Sequence, residues 1–235
     1  MKYKLIIFDL DGTVLDTLAD LCDSVNFALK MHNLPERSIE EVRTFVGNGI
    51  RRLIDLAVPT GTGISLTDSV FEAFKLHYKD HSCDKTRPYD GINDLLLSLK
   101  KKGMLTAVVS NKADFAVKEL VERYFPGMFS YFAGEKDGIP RKPAPDMVIN
   151  AINSLNVSPD EAVYIGDSEV DVMTARNTGI ENIIVTWGFR DEKALLEAGA
   201  KTLAGNVDSL KNLILLIKFR CLSDSTQLFV DLYGI

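Results

Sequence analysis

Cysteine is scarce, with three residues (Cys22, Cys83, Cys221) in a chain of 235. An odd count without a secretion signal excludes a disulfide-stapled extracellular scaffold and leads us to expect reduced thiols in a cytoplasmic protein. The start, Met1-Lys2-Tyr3-Lys4-Leu5-Ile6-Ile7-Phe8-Asp9, has too short an apolar run for a signal peptide, because Asp9 ends it. Long apolar runs are missing elsewhere too. The longest candidate, Leu213 to Ile217, is one helix face, so no membrane partner is expected. Excess positive charge is also lacking. There are 27 Lys+Arg against 33 Asp+Glu, a net charge of -6, which disfavours a nucleic-acid partner. Histidine occurs at positions 32, 77 and 81 only, in no metal-ligand spacing. No repeat of fixed period and no low-complexity tract is present, which excludes solenoids and arrays. Against these absences stands a 46% hydrophobic content, enough to bury a core that needs neither disulfides nor structural metal.

The apolar pattern divides the chain. Lys4 to Phe8 reads as a buried strand that stops at Asp9-Leu10-Asp11-Gly12-Thr13. The period then becomes helical. Leu18, Leu21, Cys22, Val25, Ala28 and Leu29 form one stripe, and Thr17 with Asp20 has the spacing of a capping box. Ser38 with Glu41 repeats that device before Val42, Phe45 and Val46. Two further helices follow, through Ala57 and through Tyr78. Residues 16–84 are therefore expected to form an all-helical unit. From Gly91 onward, helices and strands alternate. Strands are expected at Met104 to Val109, Tyr131 to Ala133, Ala162 to Ile165 and Asn182 to Thr186, and Asp208 is expected to cap the last helix, through Ile217. Such alternation implies right-handed βαβ units. The fold class expected is α/β: a doubly wound, Rossmann-like parallel sheet core (1–15 and 85–218) with an inserted all-α cap (16–84). Residues 219–235 fit neither helix nor loop well, and Gln227 to Tyr233 would suit an edge strand, a partner-binding arm or an unordered tail.

Polar residues gather where ligands bind in such a sheet, outside the carboxyl ends of the strands. Strand one ends in Asp9 and Asp11, the second in Ser110-Asn111, and a later one in Gly166-Asp167-Ser168 with Asp171 four residues on. Lys142 lies in Arg141-Lys142-Pro143-Ala144-Pro145, a loop that its prolines stiffen. Each alone has an ordinary explanation: an Asp after a strand forms turns, Ser-Asn caps helices, a lysine is a solvated charge. Together they fall on one edge. Carboxylates gathered in one crevice repel one another unless a cation compensates, and Asp9 with Asp167 makes a hard-oxygen pair suited to Mg²⁺. These residues point to phosphoryl transfer.

Asp9-Leu10-Asp11-Gly12-Thr13 resembles the first motif of the haloacid dehalogenase-like superfamily. Ser110-Asn111 resembles its second motif, Lys142 its third, and Gly166-Asp167-Ser168-Glu169-Val170-Asp171 its fourth. Order and spacing agree over about residues 4–217, and the helical insert sits where that superfamily places its cap. Phe45-Val46-Gly47-Asn48-Gly49-Ile50 and Thr186-Trp187-Gly188-Phe189-Arg190 look like its phosphoglycolate phosphatase branch. The resemblance implies Asp9 as nucleophile and Asp11 as general acid and base. It implies a Mg²⁺ cofactor held by the Asp9 and Asp167 carboxylates and the Asp11 backbone carbonyl, with Asp171 outside them. It assigns the transferring oxygens to Ser110, Asn111 and Lys142. Dehalogenase branches lack an aspartate at the Asp11 position, because halide leaves without a proton. Its presence favours a phosphate ester.

Asp16 to Ala19 and Cys83 to Arg87 are the connections between insert and core, and are expected to act as hinges. Gly47, Asn48 and Gly49 precede Ile50-Arg51-Arg52, where a substrate carboxylate would find a helix start and the Arg51 guanidinium. The alternative is a surface arginine pair after a turn. The expected partner is a small phosphorylated metabolite, and the chain is expected to be a monomer or homodimer. Rival functions are a phosphomutase, a pyrophosphatase, a sugar or nucleotide phosphatase, or a non-catalytic binding protein on the same fold.

Overall fold

The computed structural model describes residues 2–215. The final residues of the expected last helix and the whole 219–235 segment lie outside the described residues. In chain order the first elements are β1 (Leu5–Phe8), β2 (Leu15–Asp16), α1 (Leu18–Met31), α2 (Ile39–Phe45), α3 (Gly49–Ala57) and α4 (Ile64–His81). Next come β3 (Arg87–Pro88), α5 (Ile92–Lys101), β4 (Leu105–Ala113), α6 (Asp114–Tyr124), β5 (Tyr131–Glu135) and α7 (Asp146–Ser154). The chain continues with β6 (Ala162–Gly166), α8 (Glu169–Thr178), β7 (Glu181–Val185), α9 (Glu192–Glu197), β8 (Leu203–Ala204) and α10 (Val207–Leu215).

Six strands make one parallel sheet in the order β5-β4-β1-β6-β7-β8. The chain builds outward from β1 in one direction, then returns to build outward in the other. That reversal puts the switch point of the sheet between β1 and β6, where such folds place ligands. β1 explains its own position. All four of its side chains are buried, alternating between the two faces of the sheet. Ile6 and Phe8 pack with Leu95, Leu99, Leu120 and Leu210 of α5, α6 and α10. Leu5 and Ile7 pack on the other face with Met147, Val148 and Ala151 of α7. Burying each such side chain contributes about 1.5–3 kcal/mol.

Helices α1 to α4 leave after β1 and form a separate apolar cluster around Val25, Leu29, Leu53, Ile54, Val70 and Phe74. Two short strands, β2 and β3, join them to the sheet as an antiparallel pair, Leu15 opposite Pro88 and Asp16 opposite Arg87. Helix α2 has the expected capping box, with Ser38 accepting from the Glu41 amide and Glu41 accepting from the Ser38 amide. The Thr17–Asp20 box does not form. The Thr17 hydroxyl donates instead to Asp11 Oδ1 at 2.7 Å. The buried Asp20 carboxylate accepts from the Lys85 and Thr86 amides at 2.8–3.0 Å, tying one connection to the other. Tertiary partners have displaced a local cap here. A second correction concerns α10, which Asn206 caps through the Ser209 amide at 2.8 Å, while Asp208 sits in the first turn. Strand β4 also runs past Val109 to Ala113, so Ser110 and Asn111 lie within it. Among the described residues, no helix is long and apolar enough to cross a membrane.

Candidate active site

The ends of β1, β4 and β6 meet over one crevice. Asp9 follows β1 directly, and its amide donates to Ile165 O in β6 at 2.8 Å. Its carboxylate is 8% exposed. Oδ1 accepts from the Leu10 amide at 2.7 Å and from Lys142 Nζ at 2.9 Å. Among the described residues, Oδ2 has no hydrogen-bond partner. Burial is the main cause that raises the Asp9 carboxyl to about 7; the Lys142 charge opposes it, while Asp171 and Asp11 add to it.

Lys142 is 2% exposed and serves three partners at once: Asp9, Asp171 Oδ1 at 2.8 Å and the Tyr164 hydroxyl at 2.8 Å. Burial alone would lower this ammonium; the Asp171 and Asp9 carboxylates outweigh that and hold it well above its ordinary value. Asp171, fully buried, is saturated on both oxygens. Oδ1 takes Lys142, and Oδ2 takes the Ser168 hydroxyl and the Ser168 and Asp167 amides.

Asp167 accepts from the Phe189 amide on Oδ2 at 2.7 Å and from Thr13 Oγ1 on Oδ1 at 3.3 Å. Burial, then the neighbouring Asp171 and Asp9 charges, push it well above the usual carboxylate range. Two glycines make its berth. Gly12, at φ +80°, and Gly188 both lie so close that a Cβ on either would overlap the Asp167 carboxylate. Asp9, Asp167 and Asp171 each offer an oxygen within 4.8 Å of the others. Two of these buried acids are held above their ordinary range despite Lys142. A hard divalent cation fits between the Asp9 and Asp167 carboxylates, with the saturated Asp171 behind them, because it would supply the charge the site still lacks.

Asp11 stands apart. Both its oxygens contact Lys112 Nζ, at 2.9 and 3.1 Å, and Thr17 donates to Oδ1. Lys112 is 5% exposed, and its ammonium lies 4.9 Å from the ring centre of Tyr78 in α4. Burial would lower Lys112; Asp11 more than compensates and raises it. The Tyr78 hydroxyl is buried without a hydrogen-bond partner, and burial raises it to about 12. Lys112 is a functional candidate that sequence reasoning missed. The signal was there in the Ser110-Asn111-Lys112 run continuing an apolar strand.

The other expected residues divide. Ser110 is buried and accepts from the Lys112 amide through Oγ at 3.2 Å. Asn111 donates to Lys142 O at 2.9 Å and to Gly47 O in the insert at 3.1 Å. Gly47 and Gly49 line the cavity between insert and sheet, together with Asp9, Ser110, Lys112 and Asp167. Asn48 sits at the start of α3 and does not line it. Arg51 is not brought to the site. It pairs with Asp55 at 3.0 Å and Asp68 at 2.5 Å on the exposed side of the insert, which corrects its expected carboxylate-anchoring position. The cavity measures about 40 Å³. The insert contributes an apolar wall to it, including Leu21, Val46, Ile50 and Leu53.

Residues 6–185, more than half of the chain, match the family model described as haloacid dehalogenase-like hydrolase. The chain belongs to the haloacid dehalogenase-like hydrolase family. It is 31% identical over 217 residues to phosphoglycolate phosphatase 1 of Pseudomonas aeruginosa, a match covering 90% of this chain and 78% of that one. It is 34% identical over 197 residues to phosphoglycolate phosphatase of Haemophilus influenzae, covering 80% and 88%. A crystal structure of a candidate phosphoglycolate phosphatase from Lactobacillus delbrueckii subsp. bulgaricus is 40% identical. It superposes with a TM-score of 0.87 over 91% of this chain and 99% of that one.

Proposed function

We propose that this hydrolase is a Mg²⁺-dependent phosphatase that cleaves a small organic phosphate monoester, phosphoglycolate first, through an aspartyl phosphate on Asp9. The observation that carries this reading is the setting of Asp9. One oxygen is held by Lys142 and the Leu10 amide, and the other has no hydrogen-bond partner among the described residues. A carboxylate fixed on one oxygen presents the other as a nucleophile without rotating away. The relatives named phosphoglycolate phosphatase support the substrate class.

In the first step Asp9 Oδ2 bonds to phosphorus, the bond to the ester oxygen breaks, and Asp11 gives that oxygen a proton. In the second, water bonds to phosphorus, Asp11 takes its proton, and the Asp9–phosphorus bond breaks to release inorganic phosphate. Splitting the displacement in two lowers each barrier. Lys142, the Ser110 hydroxyl and nearby backbone N–H groups bind the transferring oxygens, where preorganised charge matters most, while the Asn111 side chain ties the Lys142 loop to Gly47. Asp9 and Asp167, with the Asp11 carbonyl, would hold Mg²⁺, which supplies positive charge against the phosphate oxygens when bound. A carboxylate on the leaving group would meet the positive field of Lys112, which lines the cavity, rather than that of Arg51.

The test is phosphate release from phosphoglycolate, pyrophosphate, hexose phosphates and nucleotides, with Mg²⁺ or with a chelator, using the parent and Asp9→Asn. Release from a small ester that needs both Mg²⁺ and Asp9 supports the reading. A hexose phosphate converted to its isomer without free phosphate would replace it with a phosphomutase. No release from the whole panel, together with a stable protein partner, would replace it with a binding role.

A further inference from the structure

The segment Gly188-Phe189-Arg190 after β7 has no part in the chemical steps above, yet it touches both halves of the site. The Phe189 amide holds Asp167 at 2.7 Å. The Phe189 ring leaves the sheet and is buried in the helical insert's own cluster with Leu21, Val46 and Leu53. Arg190 Nε donates to Glu169 Oε2 at 2.8 Å, beside Asp167. Its other two nitrogens cross to the insert, Nη1 to Arg43 O at 3.0 Å and Nη2 to Val46 O at 2.7 Å. The insert answers in kind. Arg43 Nη2 donates to Gly188 O at 3.1 Å, and Arg43 lies 3.6 Å from Asp191. The carbonyls that Arg190 holds, in the last turn of α2 and at Val46, lie where the chain enters the turn whose Val46, Gly47 and Gly49 wall the cavity.

We propose that Arg190 is a positioning residue that clasps the 43–49 segment, the end of α2 and the turn into α3, over Asp9 and thereby sets the upper size of the leaving group. A guanidinium has five N–H donors in a rigid planar fork, so one side chain can serve a carboxylate and two carbonyls together. A lysine at this position would have one flexible ammonium and could not hold all three in this spread geometry. Release of the two carbonyls frees the loop, and the cavity gains room on the side of Val46. Small esters then lose their fit, while larger ones gain entry. The clasp also runs through Phe189 to Asp167, so the loop and the metal-binding carboxylate share one support. The size-selection part of this inference rests on the phosphatase reading; the clasp itself does not.

The test uses the full chain with Arg190→Ala, Arg190→Lys and Arg43→Ala. Hydrogen exchange of peptides covering 43–49 is measured without substrate, and kcat/KM is measured for phosphoglycolate and for the bulkier p-nitrophenyl phosphate. Arg190→Ala is expected to speed exchange in 43–49 while leaving α5 and α6 protected. It is expected to shift the ratio of the two kcat/KM values about tenfold toward the bulkier ester, mainly through KM for the smaller one. Arg190→Lys should fall between, and Arg43→Ala should move both readouts in the same direction by less. Unchanged exchange in a folded Arg190→Ala protein would overturn the clasp. An equal loss on both esters would overturn the size limit. If the parent cleaves neither ester, the phosphatase reading fails and the exchange measurement still decides the clasp. If Arg190→Ala does not fold, Arg190→Lys and Arg43→Ala decide it by the same two readouts.

Discussion

Asp9 and Asp11 are two residues apart, and each is paired with a buried lysine, yet their surroundings are built differently. The Lys142 that holds Asp9 is held in turn by Asp171 and Tyr164, and every member of that group belongs to the sheet, its loops and the first turn of α8, none to the helical insert. The Lys112 that holds Asp11 lies against Tyr78 of the helical insert, and Thr17, at the first connection to the insert, donates to the same carboxylate. One group is internal to a rigid element. The other spans the joint between two. The difference fits the division of labour proposed above. A nucleophile gains from a fixed position through both steps. A group that first gives and then takes a proton works between a closed and an opened site, and its partners lie where that motion occurs.

The largest effect should come from removing each acid in turn. Asp9→Asn should lower turnover by at least about 10³-fold with no phosphorylated protein formed. Asp11→Asn should also be slow, by about 10²–10⁴-fold, but should accumulate phosphorylated protein from acetyl phosphate, whose leaving group needs little help from an acid. Equal labelling of both variants would erase the distinction. Next in size, Lys142→Met should cost about 3 kcal/mol of stability in denaturant unfolding, because it strands Asp9 and Asp171 without their shared cation. The loss should be larger at pH 8 than at pH 6, where the stranded Asp9 carboxyl takes up a proton. Lys112→Met should cost less, about 1–2 kcal/mol, because Asp11 is partly open to water, and should lower kcat about 10–100-fold while leaving Mg²⁺ affinity as it was. A matching loss of Mg²⁺ affinity in the Lys112 variant would join the two groups into one.

The smallest effect is a pH dependence. In the metal-free fold Asp9 titrates at about 7, raised from the unfolded range near 4 mainly by burial. The folded state therefore binds the extra proton between those values. Metal-free stability falls as pH rises through that window and levels off above about 7. Mg²⁺ must displace that proton, so its affinity should climb from pH 6 to pH 8 by about tenfold. Calorimetric titration at pH 6, 7 and 8 checks this, and an affinity that falls with rising pH would contradict the burial of Asp9.

Much of this was legible in the residues. The apolar run ending at Asp9, the alternation after Gly91 and the Ser38–Glu41 box led to the right elements because local pattern and tertiary structure agree there. Asp9, Lys142, Asp167 and Asp171 converge because each follows a strand or a stiff loop at one edge of the sheet. The failures share a cause. Thr17 and Asp20 have capping-box spacing, but buried partners across the joint compete more strongly than a helix start. Arg51 follows a glycine turn that does line the cavity, but Asp55 one helical turn on and Asp68 in α4 hold it on the outer side. Lys112 and Arg190 are charged residues whose partners are distant in sequence, 101 positions for Lys112 with Asp11. The run that continues β4 marks Lys112 as a candidate, but linear spacing does not say which residue either of them pairs with.

The most direct measurement is mass spectrometry of the protein quenched in acid during turnover of a small phosphate ester with Mg²⁺. One phosphoryl group should appear on the peptide that contains Asp9, and it should be absent from Asp9→Asn. Phosphate released at full rate with that peptide unmodified, or steady turnover by Asp9→Asn, would contradict a covalent route through this carboxylate.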